Sequence, residues 1–258
     1  MPSETDPGAP PQQFEPSASD GAAAAAAIEF ARAVAACCDA QLESRLRGAY
    51  LLGSLAHGGF SRRYSDIDLA LILEDDPGSA ALDSIRAEAA ALSPEQAQKL
   101  SLFWTDRQFS IGRFPPLDRV DYLDRGVALL ERERVGPVRP PLDEIRSYLR
   151  GAPFANWAKN ARHYADLDRL AAADRKPYLR ALLYPARFIY SWTTGRMASN
   201  DDAVAHVAER PPPGLDLDLI ERALQCRRTD SDPDELFSAR AVLARQVETC
   251  ARFAGIAW

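Results

Sequence analysis

The sequence predicts an α+β chain in which strands and helices alternate through the first half and helices alone fill the second. Three observations carry this. Largely apolar runs at Ala49–Leu52 and Ile67–Leu73, followed by a third at Leu100–Trp104, have the length and flanks of buried strands. A Pro- and Gly-rich stretch, Val135-Gly136-Pro137-Val138-Arg139-Pro140-Pro141, is the best linker in the chain. Beyond it the apolar residues recur at helical spacing. The expected organisation is a flexible, acidic, Pro/Ser-rich tail over 1–22, a first domain over 23–137, and an all-helical bundle over 138–258.

In chain order, Asp20 is the expected N-cap of an alanine-rich helix over Ala22–Leu46, with Ile28, Ala31, Ala35 and Leu42 near helical spacing. It feeds a strand over Gly48–Leu52. After Leu73 the chain turns at Glu74–Gly78, and helices are expected over Ala80–Leu92 and Pro94–Gln98 before the third strand. A turn at Arg113–Leu117 precedes a predicted helix over Asp118–Arg132, with Val120, Leu123, Val127 and Leu130 on one face. Past the linker, helices are expected near Leu142–Leu149, Asn156–Leu167, Lys176–Thr194, Asp201–Glu209, Asp216–Arg227 and Asp234–Phe253. Gly195 should end the third of these, and Ser199 with Asp202 resembles a capping box that starts the next.

The chemistry concentrates between the first two strands. Because side chains alternate along a strand, Asp66 and Asp68 project from one face, about 7 Å apart at Cα. Two acids on one strand face need a cation. Mg²⁺ commonly takes one or two carboxylates plus substrate phosphates, which fits phosphoryl or nucleotidyl transfer. Gly53-Ser54 stands where a strand runs into the helix expected to begin at Leu55, so its N–H groups and hydroxyl can hold a phosphate. Arg62 and Arg63 add positive charge nearby.

A strand ending in Gly53-Ser54, followed by Ser65-Asp66-Ile67-Asp68-Leu69, resembles the signature of the polymerase-beta-type nucleotidyltransferases. The resemblance implies a mixed sheet flanked by helices, a nucleoside triphosphate donor, ATP above all, and Mg²⁺. It makes Asp66 and Asp68 the catalytic and metal-binding pair, and sets Gly53, Ser54, Ser65 and Arg62 around the nucleotide. The second half resembles the helical domain of streptomycin and spectinomycin adenylyltransferases, best over Tyr184–Arg196 and Ser199–Ala203. That likeness implies AMP transfer to a hydroxyl of a small acceptor.

Two positions depart from the family pattern. The third carboxylate belongs near the start of the third strand, where Ser101 stands; Asp106, five residues on, faces the other way unless a bulge intervenes. Asn200 stands where a phosphate-binding lysine is common. A nucleotide-binding module that has lost these groups, or a protein-nucleotidylating enzyme of antitoxin type, are therefore rival readings. His57 reads as a loop residue with nothing to fix its tautomer, Phe188, Tyr190 and Trp192 as a core stripe, and Arg227-Arg228 with the Asp230–Glu235 run as solvated helix ends.

Charge and composition narrow the partners. Residues 1–137 carry 13 Lys+Arg against 21 Asp+Glu, and residues 138–258 carry 18 against 16. The second half is thus not acidic, as a dedicated polycation-binding domain would be, and neither half is basic enough to suggest DNA or RNA. No uninterrupted run of about 18 apolar residues suggests a membrane span. The N-terminus lacks the basic-then-apolar order of a signal peptide, and the four cysteines lack zinc spacing. A cytoplasmic protein with reduced thiols is expected.

Overall fold

The structure, a computed structural model, describes residues 18–257; residues 1–17, most of the expected tail, lie outside the described residues. The rest of that tail is helical. Helix α1 spans Ala18–Leu42; the side chain of Asp20, the expected N-cap, lies outside what the structure describes. The helix stops at Leu42 because Glu43, at φ +48°, turns the chain into a single 3-10 turn. Strand β1 then takes Leu46–Leu52, starting earlier than expected because Leu46 is fully buried opposite Leu73.

The first half continues through α2 (Gly53–Ala56), β2 (Ile67–Leu73), α3 (Ser79–Leu92), α4 (Pro94–Ala97), β3 (Leu100–Asp106), α5 (Pro116–Arg125) and β4 (Val127–Glu131). Strand β4 corrects the sequence reading, which ran one helix over Asp118–Arg132. Gly126 ends α5, and Val127–Glu131 pairs antiparallel with β1 along an otherwise open edge. The strand order is β3-β2-β1-β4. Pairing is parallel only between β2 and β3, which makes the sheet mixed, as the resemblance implied.

Alternation along β2 sorts the two faces. Ile67, Leu69, Leu71 and Leu73 pack beneath α1 and α3, against Ala27, Phe30, Ala31, Val34, Cys38 and Ile85. Ala70 and Ile72 face an aromatic cluster of Tyr50, Phe103, Phe109, Phe114 and Tyr122, which seats α5 on the sheet. By length and composition the stretch Gly21–Arg45 could cross a membrane, although it holds no unbroken apolar run of that length. The Ala27-Ala31-Val34-Cys38 face of α1 is instead packed into the core beneath the sheet.

The second half is helical: α6 (Leu142–Arg150), α7 (Ala152–Ala165), α8 (Arg175–Thr194), α9 (Asn200–Glu209), α10 (Leu217–Arg228) and α11 (Val242–Ala254). Helix α8 runs through its centre, burying Tyr178, Leu182, Phe188 and Trp192. Gly195, at φ +68°, closes α8, and the Ser199 hydroxyl accepts from the Asp202 N–H to open α9. The long helix expected over Asp234–Phe253 is broken into a 3-10 segment, Pro233–Ala239, and α11.

Candidate active site

Strand register decides what meets at the site. Asp68 lies opposite Leu52 on β1 and Ser101 on β3, so the end of β1, the start of β2 and the start of β3 share one end of the sheet. Gly53 turns the chain there at φ +62°, a conformation glycine tolerates, and a Cβ on it would collide with the Asp68 carboxylate. Asp106 pairs with Leu73 at the far end, about 16 Å along the strand. Its carboxylate accepts from the Ser110 N–H, the Ser110 hydroxyl and the Ile111 N–H, organising the turn after β3. The third acid is therefore not Asp106.

Asp66 and Asp68 both line a cavity of about 630 Å³ whose other wall is the helical half. Ser54, Ser65, Ser101 and Asn200 line it too. Opposite the acids, α8 presents Lys176, Leu179, Arg180, Leu183 and Arg187, residues three or four apart and hence on one face. Lys176 Nζ lies 2.5 Å from Asp66 Oδ1 and Arg180 Nη2 2.8 Å from Asp66 Oδ2, so the helical half supplies the cation that Asp66 needs. Arg187 makes no hydrogen bond or ion pair among the described residues, and burial, then the charge of Arg180, lowers its pKa. Asp68 behaves differently from Asp66. Burial, then the charge of Asp66, pushes its carboxyl up, and a hydrogen bond from Ser101 only partly offsets this.

Two acids of α5 join the set. Asp121 accepts from the Gly53 N–H at 3.0 Å and from His57 Nε2 at 2.5 Å, both buried, so the Gly53 amide is not free to hold a phosphate. The same contact holds the His57 ring in place, with Nε2 against the Asp121 carboxylate. Asp118, one turn earlier, also lines the cavity. Sequence reasoning passed over both because it read α5 for its apolar stripe; their i, i+3 spacing was the available signal.

The cationic residues sort differently from expectation. Arg227 is not a solvated helix end: it donates to the Gly59 carbonyl and the Ser65 hydroxyl, and burial lowers its pKa to about 10. The acidic run after it clasps the signature loop, with Asp230 accepting from the Ser61 hydroxyl and Asp232 paired with Arg63. Arg62 is exposed beside Glu95 and does not reach the cavity. Phe188 and Trp192 sit in the helical core, with Tyr190 half-buried against it.

Sheet order, strand polarity and the helical half together define an α+β nucleotidyltransferase fold followed by a helical part. Among solved structures the chain is similar to the spectinomycin adenyltransferase AAD(9) from Enterococcus faecialis, crystallised with ATP and spectinomycin; the match covers 88% of this chain and 98% of that one, at 11% identity and a TM-score of 0.63. At that identity the likeness shows the fold. No protein family matches the chain in sequence, and neither does any curated protein.

Proposed function

We propose that this protein transfers a nucleoside monophosphate, AMP from ATP, to a hydroxyl of a small acceptor in a Mg²⁺-dependent reaction. One observation carries the reading: Asp66 and Asp68 converge on a single cavity with the cationic face of α8. Lys176, Arg180, Arg187 and Arg227 offer the charge a triphosphate needs, and Ser54 offers a hydroxyl. The helical wall covers the site from the side opposite the acids.

The donor set suits Mg²⁺. Among the described residues no three His, Cys, Asp or Glu side chains cluster as a ready metal cage. Two carboxylates completed by substrate phosphates are nevertheless an ordinary Mg²⁺ shell, and the raised pKa of Asp68 marks a carboxylate short of positive charge. Asp66 and Asp68 would hold the ion, with Asp66 releasing Lys176 and Arg180 to the phosphates. When bound, Mg²⁺ neutralises charge on the phosphates.

The side chains that α8 and α10 turn into the cavity, Lys176, Arg180, Arg187 and Arg227, are cations, whereas Asp66, Asp68, Asp118 and Asp121 line it with acids, so charge alone does not select the acceptor. A cytoplasmic setting agrees with the free cysteines Cys37, Cys38, Cys226 and Cys250. A second reading, a nucleotide-binding module without turnover, is favoured by the way Lys176 and Arg180 already neutralise Asp66.

Thermal melts test the shared core of both readings. ATP with Mg²⁺ at a hundredfold excess over Kd should stabilise the protein by about 2.7 kcal/mol. No shift with any of the four nucleoside triphosphates would overturn both. A shift without pyrophosphate release from ATP in the presence of any hydroxylated acceptor would leave the binding module.

A further inference from the structure

Four carboxylates line the cavity, and three of them are engaged. Asp66 is held by Lys176 and Arg180, Asp121 by His57 and the Gly53 amide, and Asp68 takes the Ser101 hydroxyl. Asp118 makes no hydrogen bond or ion pair among the described residues, although it stands in the wall of the same cavity on a well-anchored helix. A carboxylate kept unpartnered in a partly closed site is costly, so its position asks for an external partner.

The charged and titratable groups that act on Asp118 come from the loop before α5 and from α5, β2, α8 and α6. They are Arg113 before α5, Asp121 on its own helix, Asp68 on β2, Arg187 on α8 and Tyr148 on α6. Burial dominates, with the acids adding to it and the arginines opposing it. The carboxyl is pushed up to about 7. A proton acceptor works best when its pKa is near the working pH.

Ser101, on the strand position where a third acid is expected, cannot take a proton from an acceptor, and Asp106 is at the wrong end of the sheet. We propose that Asp118, reaching into the cavity from α5, is the general base that accepts the proton of the acceptor hydroxyl; this rests on the nucleotidyl-transfer reading above. The acceptor O–H bond breaks toward the Asp118 carboxylate while the acceptor oxygen bonds to the α-phosphorus. The bond from that phosphorus to the bridging oxygen breaks, and pyrophosphate leaves with the electron pair. Asp118 then returns its proton to water.

The test compares wild type, Asp118→Asn and Asp118→Glu by pyrophosphate release from Mg–ATP between pH 5.5 and 9, with polyols, hydroxy acids and sugar phosphates as acceptors. ATP-induced melting shifts are measured on the same proteins. Asp118→Asn should lower kcat by about 10²–10⁴-fold and abolish the rise in rate through about pH 7, while the ATP shift stays as in wild type. Asp118→Glu should recover part of the rate together with the pH-dependent limb. A kcat for Asp118→Asn within about threefold of wild type, with the same pH profile, would overturn the base and leave the transferase reading standing. Loss of the ATP shift in Asp118→Asn would make Asp118 a binding or structural residue and overturn it too. No pyrophosphate release by wild type would overturn the transferase reading and this inference with it.

Discussion

Asp66, just before β2, and Asp68, within it, both line the cavity yet are held in opposite ways, and their asparagine variants should separate accordingly. Asp66→Asn removes two partly exposed ion pairs, each worth about 0–1 kcal/mol, so the free protein should melt slightly lower. Asp68 has a raised folded pKa. Its contribution to stability is complete below the unfolded carboxylate pKa and is lost as pH rises through the higher folded value, so Asp68→Asn should melt higher than wild type at pH 8 and no higher at pH 4. Both variants should lose the Mg–ATP shift. Asp106 runs the other way: burial would raise its pKa, but hydrogen bonds from Ser110 and Ile111 win and lower it. Asp106→Asn should therefore cost about 1–3 kcal/mol in denaturant melts at neutral pH, less in acid, and leave the ATP shift intact.

Among the elements, the turn from β1 into α2 is the most demanding. Gly53 combines a left-handed φ of +62°, an amide bound by Asp121, and a space closed by Asp68. Gly53→Ala should destabilise the protein by about 1 kcal/mol or more and abolish the ATP shift, because the Asp68 carboxylate must move. A melt and an ATP shift equal to wild type would show that the turn tolerates a side chain and that Asp68 need not stand where it does. β4 teaches a different lesson about elements. Val127, Leu129 and Leu130 suit a helix stripe as well as an edge strand, and the free hydrogen-bonding edge of β1 decides the matter.

Across the whole molecule, the two halves are joined by polar clasps as well as by chain. Asp230 and Asp232 hold the loop that carries Ser61 and Arg63, Arg227 holds Ser65, and Lys176 and Arg180 hold Asp66. The linker is open, with Val138 90% exposed. Limited proteolysis should cut first between Gly136 and Arg139, and the two fragments should stay together at low salt and separate as salt screens the ion pairs. Size-exclusion chromatography at 0.05 and 1 M salt reads this directly; fragments that co-elute under both conditions would show that apolar contacts such as Tyr64 and Val120 on the helical core hold the halves together instead.

The sequence by itself determined the α+β order, the first three strands, most helices of the second half, and the nearness of Asp66 and Asp68 at the start of β2. Those features follow from local periodicity, turn chemistry and alternation, which act over a few residues and are written where they act. Only the tertiary structure decided that Asp106 lies at the far end of the sheet, that Asp118 and Asp121 enter the cavity from α5, that Arg227 lines the cavity and Arg62 does not, and that Lys176 and Arg180 neutralise Asp66 from more than a hundred residues away. Strand register and the docking of α8 over the sheet set those contacts. Both depend on which surfaces bury each other, and no local pattern encodes that choice.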